Sequence, residues 1–338
     1  MARFLTVIAG IALAASVCAQ DRYDWTEERF PPSIRRLTHF GGRADWSHDG
    51  KRILFLGKTY GDVYEVEVAT GIIRALTHHY HHNGYVRALY LANGDILLSG
   101  ARTFNASAPH DSRFSNPELW VLDKRLNQPP APLGEFCWEG PAVSRTRLRI
   151  SWAVKHGIYP RHTRFYELWV ADLDYSGGAP RLANERMVLD SRQLFRAVLE
   201  PQNFRPPDER ELIFQSSHDG TEVMGLDLET GGIVNYSQAP RTYDEPEGIF
   251  PDGHQTLVEC NRHRSAGGGG SIDIYKLRLD GSGRYDRLTW FNEGEVFKAS
   301  NPVVSDDGRF MAFQVPRVRE IAGVGHGIYV MDLEAAGK

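Results

Sequence analysis

The phrase "RADWSHDGKRILFLG" at 43–57 returns almost in kind as "ASNPVVSDDGRFMAFQ" at 299–314. A chain that repeats itself at such a distance is constrained to build a stack or ring of like units. Each copy holds a short apolar segment, a serine, an Asp-Gly pair, a basic residue and a second apolar run. Six units of this kind follow one another. They are "WSHDGKRILFLG" with "VYEVEVATG", "YLANGDILLSG" with "ELWVLD", "PAVSRTRLRISWA" with "ELWVADLDYSGG", "VLEPQNFRPPDERELIFQSS" with "VMGLDLETGG", "GIFPDGHQTLVECNR" with "SIDIYKLRLDGSG", and "PVVSDDGRFMAFQ" with "IYVMDLEAAG". The interval from Gly50 to Gly308 spans five repeats of about 52 residues each.

One unit reads as a four-stranded antiparallel meander. Asp-Gly and Asn-Gly pairs supply the positive φ of tight hairpins. Runs such as "RILFLG" and "DILLSG" are apolar at successive positions, as in strands whose sheet is covered on both faces. Small sheets packed radially against their neighbours meet that condition. A parallel α/β sheet would too, but it needs crossover helices, and no long amphipathic helical stretch is present. The expected fold is therefore all-β, a six-bladed β-propeller over residues 33–338. Its last unit ends at "GIYVMDLEAAGK" without the "RALT" segment that closes the first. The counterpart, "SIRRLTHF" at 33–40, precedes the first blade. The chain ends are thus predicted to exchange, with residues 33–39 completing blade six.

Residues 1–19 have the form of an export signal: Arg3, the apolar run "FLTVIAGIALAA", and "VCA" before a cut at Ala19/Gln20. Residues 20–32 form a short extension. The run is too short to span a bilayer, so the mature chain is expected to be secreted or periplasmic, with no integral membrane segment, and monomeric. A net charge of −4 and 24% charged residues give no basis for a nucleic-acid partner. Cys137 and Cys260 would remain after cleavage, too few for a disulfide framework.

The phrases "WSHDGKRILF", "FPDGHQTLVE" and "VSDDGRFMAF", followed by "IYxxDL"-type strands and "RLT", resemble the WD40-like repeats of TolB-like propellers. The similarity runs from about 33 to 338, clearest in blades one, five and six. It implies an exported six-bladed propeller. The extension leaves no room for the N-terminal α/β domain of TolB, so the Tol partners are not carried over.

In such a ring, the links between blades and the links from second to third strand emerge together on one face, and loops on a rigid scaffold carry function. "THHYHHNGYVR" (77–87) offers His79, His81, Tyr85 and Arg87 as ligand-binding residues, with His79 and His81 as candidate ligands of a divalent metal. The spacing is not that of a zincin, and "HExxH" is absent. Trp138 could stack on a sugar ring. Glu245 and Glu247 flank Pro246, a pairing suited to acid/base work at the right separation. Glu259, Arg262 and His263 end a strand; arginine could grip a carboxylate while histidine moves a proton. Lys298 and Asn301 lead into the innermost strand of blade six. Glu247, Glu259, Arg262 and His263 are the candidate catalytic set; Glu245, Lys298 and Asn301 join the binding set. "GGGG" at 267–270 reads as a flexible connection, without the context of a phosphate loop.

Two functions remain open. One is an exported propeller that binds a protein or saccharide on its link-rich face. The other is a carbohydrate-active enzyme, a polysaccharide lyase or glycosidase acting on uronic-acid sugars at the channel mouth.

Overall fold

The structure, a computed structural model, describes residues 30–114, 116–157, 163–264, 270–320 and 323–336. The stretch read as an export signal, most of the extension and most of the glycine run lie outside the described residues. The described residues form six four-stranded antiparallel sheets, the six blades expected. Blade one runs Gly42–Trp46, Arg52–Leu56, Val63–Glu67 and Ile73–Ala75 from the channel outwards. Blades two to five repeat that order over 87–136, 142–190, 198–235 and 244–287. The turn glycines Gly50, Gly94, Gly253 and Gly308 all have φ between 66° and 85°.

The sixth sheet takes three strands from the end of the chain and one from its beginning. Ile34–Arg36 pairs with Tyr329–Asp332, placing Ile34 opposite Met331 and Arg36 opposite Tyr329. The ring is closed as the repeat text implies. Ile34 enters the cluster between blades five and six. Leu37 is only partly buried, against the cluster between blades six and one.

Continuous apolar runs have a direct cause. The described core divides into six clusters, one at each interface between neighbouring blades. In "RILFL", Ile53 and Phe55 face blade six while Leu54 and Leu56 face blade two. In "LIF", Leu212 and Phe214 face blade three and Ile213 faces blade five. Successive side chains point to opposite faces of a strand, and both faces are dry. Cys137 and Cys260 are buried in these layers as free thiols.

The recurrent "LT" also has a physical role. The Thr77 hydroxyl accepts the Val63 N–H at 3.0 Å, and Thr289 accepts that of Ile274 at 2.9 Å. Ser237 does the same for Val223 at 3.0 Å. Each hydroxyl satisfies an amide in the opening residues of a third strand, which would otherwise be buried without a partner. In blade six the acceptor is Thr38 and the donor Ile328, at 2.9 Å, so this bond joins the two ends of the chain.

On the turn-rich face the channel is barred. Arg145, in the first hairpin of blade three, reaches the opposite side of the ring. Its Nη2 lies 2.7 Å from Asp306 Oδ1 of blade six and 2.8 Å from the Trp46 carbonyl oxygen of blade one. Asp45 is 3.5 Å from Nη1. Arg145→Ala strands a buried aspartate and is expected to cost about 1–3 kcal/mol, read as a lower denaturant midpoint. An unchanged midpoint would show the bar to be passive. Among the described residues, no helix is long and apolar enough to cross a membrane.

Candidate functional site

Four innermost strands carry a β-bulge near the link-rich face. Between Gly42 and Asp45, Pro201 and Asn203, Pro246 and Ile249, and Ser300 and Val303 the register slips by one residue. The proline of "LEPQ", "DEPE" and "SNPV" is tolerated because the innermost strand is an edge and lacks one ladder of hydrogen bonds. The extra residue re-aims the neighbouring side chains. Arg43 and Asn301 hold φ of 57° and 48° at equivalent places in blades one and six.

These bulges surround a cavity of about 250 Å³ at the channel mouth. Of the residues expected there, Arg87, Trp138, Glu245, Glu247, Glu259, Lys298 and Asn301 line it together. The Asn301 backbone N–H donates to Glu259 Oε1 at 2.6 Å, and its Nδ2 donates to Glu247 Oε1 at 2.9 Å. The Tyr243 hydroxyl donates to Glu245 Oε2. Gln314 Nε2 donates to Asn301 Oδ1 at 2.6 Å, which fixes the asparagine. Trp138 stands edge-on to Tyr166, ring centres 5.0 Å apart.

The structure places the other expected residues elsewhere. His79 and His81 are exposed, and His79 packs on the neighbouring Tyr80 ring. Neither belongs to a metal-ligand cluster among the described residues; the cluster found there is Glu245, Glu247 and Glu259. Tyr85 is core, 4% exposed, because its ring fills the interface between blades one and two. Arg262 turns outwards, with Nη2 3.3 Å from buried Asp244 Oδ2 and its guanidinium stacked on Tyr285. His263 is held between Asn292 Oδ1 at 3.0 Å and the Tyr275 hydroxyl at 3.2 Å. Both tie blade five to its links and do not reach the cavity.

Sequence reasoning missed Arg43, Arg113, Glu139, Glu200, Gln215, Tyr243, Gln314 and Glu320, which also line it. The aligned Glu-Pro and Asn-Pro pairs of blades four, five and six were the signal available for Glu200. Arg113 arrives on the one-turn helix Asp111–Phe114 and meets Glu139, Nε to Oε2, at 2.7 Å. Nothing local marks that contact.

The electrostatics follow from crowding and burial. Burial, with Glu139 nearby, pushes the Glu200 carboxyl up to about 8. Burial and the Glu247 charge push Glu259 up to about 7. Glu245 and Glu247 are raised as well, again mainly by burial. Arg43 is pushed down to about 9 by burial and by the positive charges of Arg87 and Arg113, and so stays charged at neutral pH. Its side chain is 94% buried by residue, at 6% exposure. Nε has no partner, and the guanidinium makes no ion pair or hydrogen bond among the described residues. Arg87 is better served, with Glu200 Oε1 3.6 Å from Nη2.

No protein-family model and no curated sequence matches the chain. Among solved structures it is similar to a gluconolactonase of Xanthomonas campestris, at 11% identity and TM-score 0.56, covering 88% of each chain. It is similar to the oligogalacturonate lyase of Vibrio parahaemolyticus at 13% identity and TM-score 0.50, over 89% of this chain and 93% of that one. It is similar to TolB of Acinetobacter baumannii at 16% identity and TM-score 0.45, over 85% of this chain and 67% of that one. The likeness is one of fold. It extends to the six-bladed propeller alone, and the activity is a separate question.

Proposed function

We propose that the protein is an exported, secreted or periplasmic propeller that binds a carboxylate-bearing saccharide in its channel mouth. The observation that carries this reading is Arg43, 6% exposed in the cavity wall, whose buried Nε has no partner and whose guanidinium makes no ion pair or hydrogen bond among the described residues. A charge largely withdrawn from water with no counter-ion in direct contact is costly, and an incoming carboxylate reduces that cost through a bidentate pair. Lys298 and Arg87 add positive charge to the same wall, while Asn301, Gln314 and the carboxyl groups offer partners to hydroxyls. Trp138 gives a ring for an apolar sugar face. A uronic acid combines all three features, and the cavity suits a single sugar residue with a longer chain continuing across the link-rich face.

Calorimetric titration with galacturonate and its oligomers, against neutral sugars, tests the proposal. The wild type is expected to saturate with the uronates alone. Arg43→Gln is expected to weaken that binding by at least about 30-fold, equivalent to about 2 kcal/mol. Absence of saturable uronate binding, or equal binding by the variant, overturns it.

A second reading, a polysaccharide lyase or glycosidase, is favoured by one feature. One oxygen each of Glu245, Glu247 and Glu259 lies within 4.8 Å of the others, near the carboxyl separation of about 5–5.5 Å in retaining glycosidases. The same mixtures, followed for absorbance of unsaturated uronates and for new reducing ends, decide it. No product across a panel of uronic-acid polysaccharides removes both enzymatic versions.

A further inference from the structure

We infer that Glu245, Glu247 and Glu259, with Gln215, form a site for one hard divalent cation of calcium size. The three carboxylates stand together in the cavity, with one oxygen each within 4.8 Å of the others. Each is oriented by a donor: the Tyr243 hydroxyl for Glu245, Asn301 Nδ2 for Glu247, and the Asn301 backbone N–H for Glu259. All three donors are neutral. No ion pair within 4.0 Å reaches these carboxylates among the described residues, although Arg87 and Arg113 pair with the neighbouring Glu200 and Glu139. The arrangement is that of ligands held from behind by outer hydrogen bonds, one oxygen anchored and the other left for a metal.

A second, independent observation points the same way. Gln215 is 7% exposed and lines the same cavity. Its Nε2 donates to Ser217 Oγ at 3.1 Å, which sets the amide plane. Its Oε1 is buried without a partner. A buried amide oxygen in the wall of the cavity that holds three carboxylates calls for a positive partner, and an all-oxygen donor set selects hard cations over zinc or copper. Three oxygens within 4.8 Å of one another leave a central point no more than about 2.8 Å from each, nearer the about 2.3–2.6 Å of calcium than the about 2.0–2.1 Å of magnesium. The ion and triad together would carry one net negative charge opposite the single positive charge of Arg43. Four protein oxygens leave further coordination positions for water or for an oxygen of a bound ligand.

The test uses the full mature chain, stripped with chelator, and no saccharide, so it stands or falls apart from the saccharide reading. Calcium titration by calorimetry is expected to show one site per chain. Terbium, a calcium mimic, is expected to give tyrosine- or tryptophan-sensitised emission that calcium displaces. Glu259→Gln keeps the acceptor for the Asn301 N–H and is expected to weaken calcium binding at least tenfold, with magnesium weaker than calcium on the wild type. Circular dichroism checks the variant's fold; should it not fold, Glu245→Gln carries the same expectation. No saturable calcium binding at millimolar concentration, a shared proton in place of the ion, equal affinity in a folded variant, or a preference for zinc overturns the assignment.

Discussion

A chain shortened to begin at Gly41 is expected to aggregate or remain unfolded. The missing segment holds the fourth strand of blade six, Ile34–Arg36, whose partner Tyr329–Asp332 would become an open edge. Open edges recruit other strands. Ile34, 8% exposed, contributes about 1.5–3 kcal/mol by burial against the blade-five and blade-six cluster. The Leu37 N–H also donates to the Ile328 carbonyl oxygen at 2.8 Å, and the Asp332 N–H to that of Ser33 at 2.8 Å. Point variants grade the effect. Ile34→Ala is expected to cost about 2–5 kcal/mol. Thr38→Val keeps the shape, leaves the Ile328 N–H unsatisfied, and is expected to cost about 1–3 kcal/mol. Size-exclusion chromatography and thermal melting check these outcomes. A truncated monomer melting with the full-length chain would refute ring closure by this strand.

Asp273→Ala is expected to destabilise the protein by about 3–5 kcal/mol, a loss typical of a buried charge network left without one partner. The Asp273 side chain is fully buried. It accepts from Thr289 Oγ1 at 2.8 Å, the Phe291 N–H at 3.0 Å, the Asn292 N–H at 3.2 Å and Arg287 Nη2 at 2.8 Å. Alanine leaves all four donors without this acceptor. Asp273→Asn retains one acceptor oxygen, so its cost should be smaller. Denaturant titration of both variants measures the difference, and a loss below about 1 kcal/mol for alanine would show that water replaces the carboxylate. This network also holds His263 in place. The ring sits against Asn292, whose backbone Asp273 holds in place.

The neutral-donor pattern around the carboxylate triad and the lone guanidinium of Arg43 lie on opposite sides of one question. Arg43 calls for an anion from solvent; Gln215 and the triad call for a cation. A uronate arriving with its carboxylate on Arg43 and an oxygen on a bound ion would satisfy both, which makes the two measurements complementary while each remains separately decisive.

Blade number, turn positions and the exchange of chain ends were readable from the text of the chain. Hairpin chemistry is local, so Asp-Gly and Asn-Gly announce themselves, and both-face burial writes a continuous apolar run into a strand. The threonine of "RLT" is legible for the same reason: Thr38 and Thr289 each accept an amide near the start of a third strand. The cavity was legible only in part. Glu245, Glu247, Lys298 and Asn301 sit beside recognisable strand starts and Glu259 near a strand end, whereas Arg262 and His263, only a few residues past Glu259, turn away from the cavity. Alternation along a strand decides which residue faces the channel, and a one-residue bulge resets that alternation without any marker in the sequence. Arg43 reaches the channel at such a bulge, and Arg113 comes from a link of another blade. Local chemistry therefore determined the ring, and the packing of six blades around an axis decided which charges meet inside it.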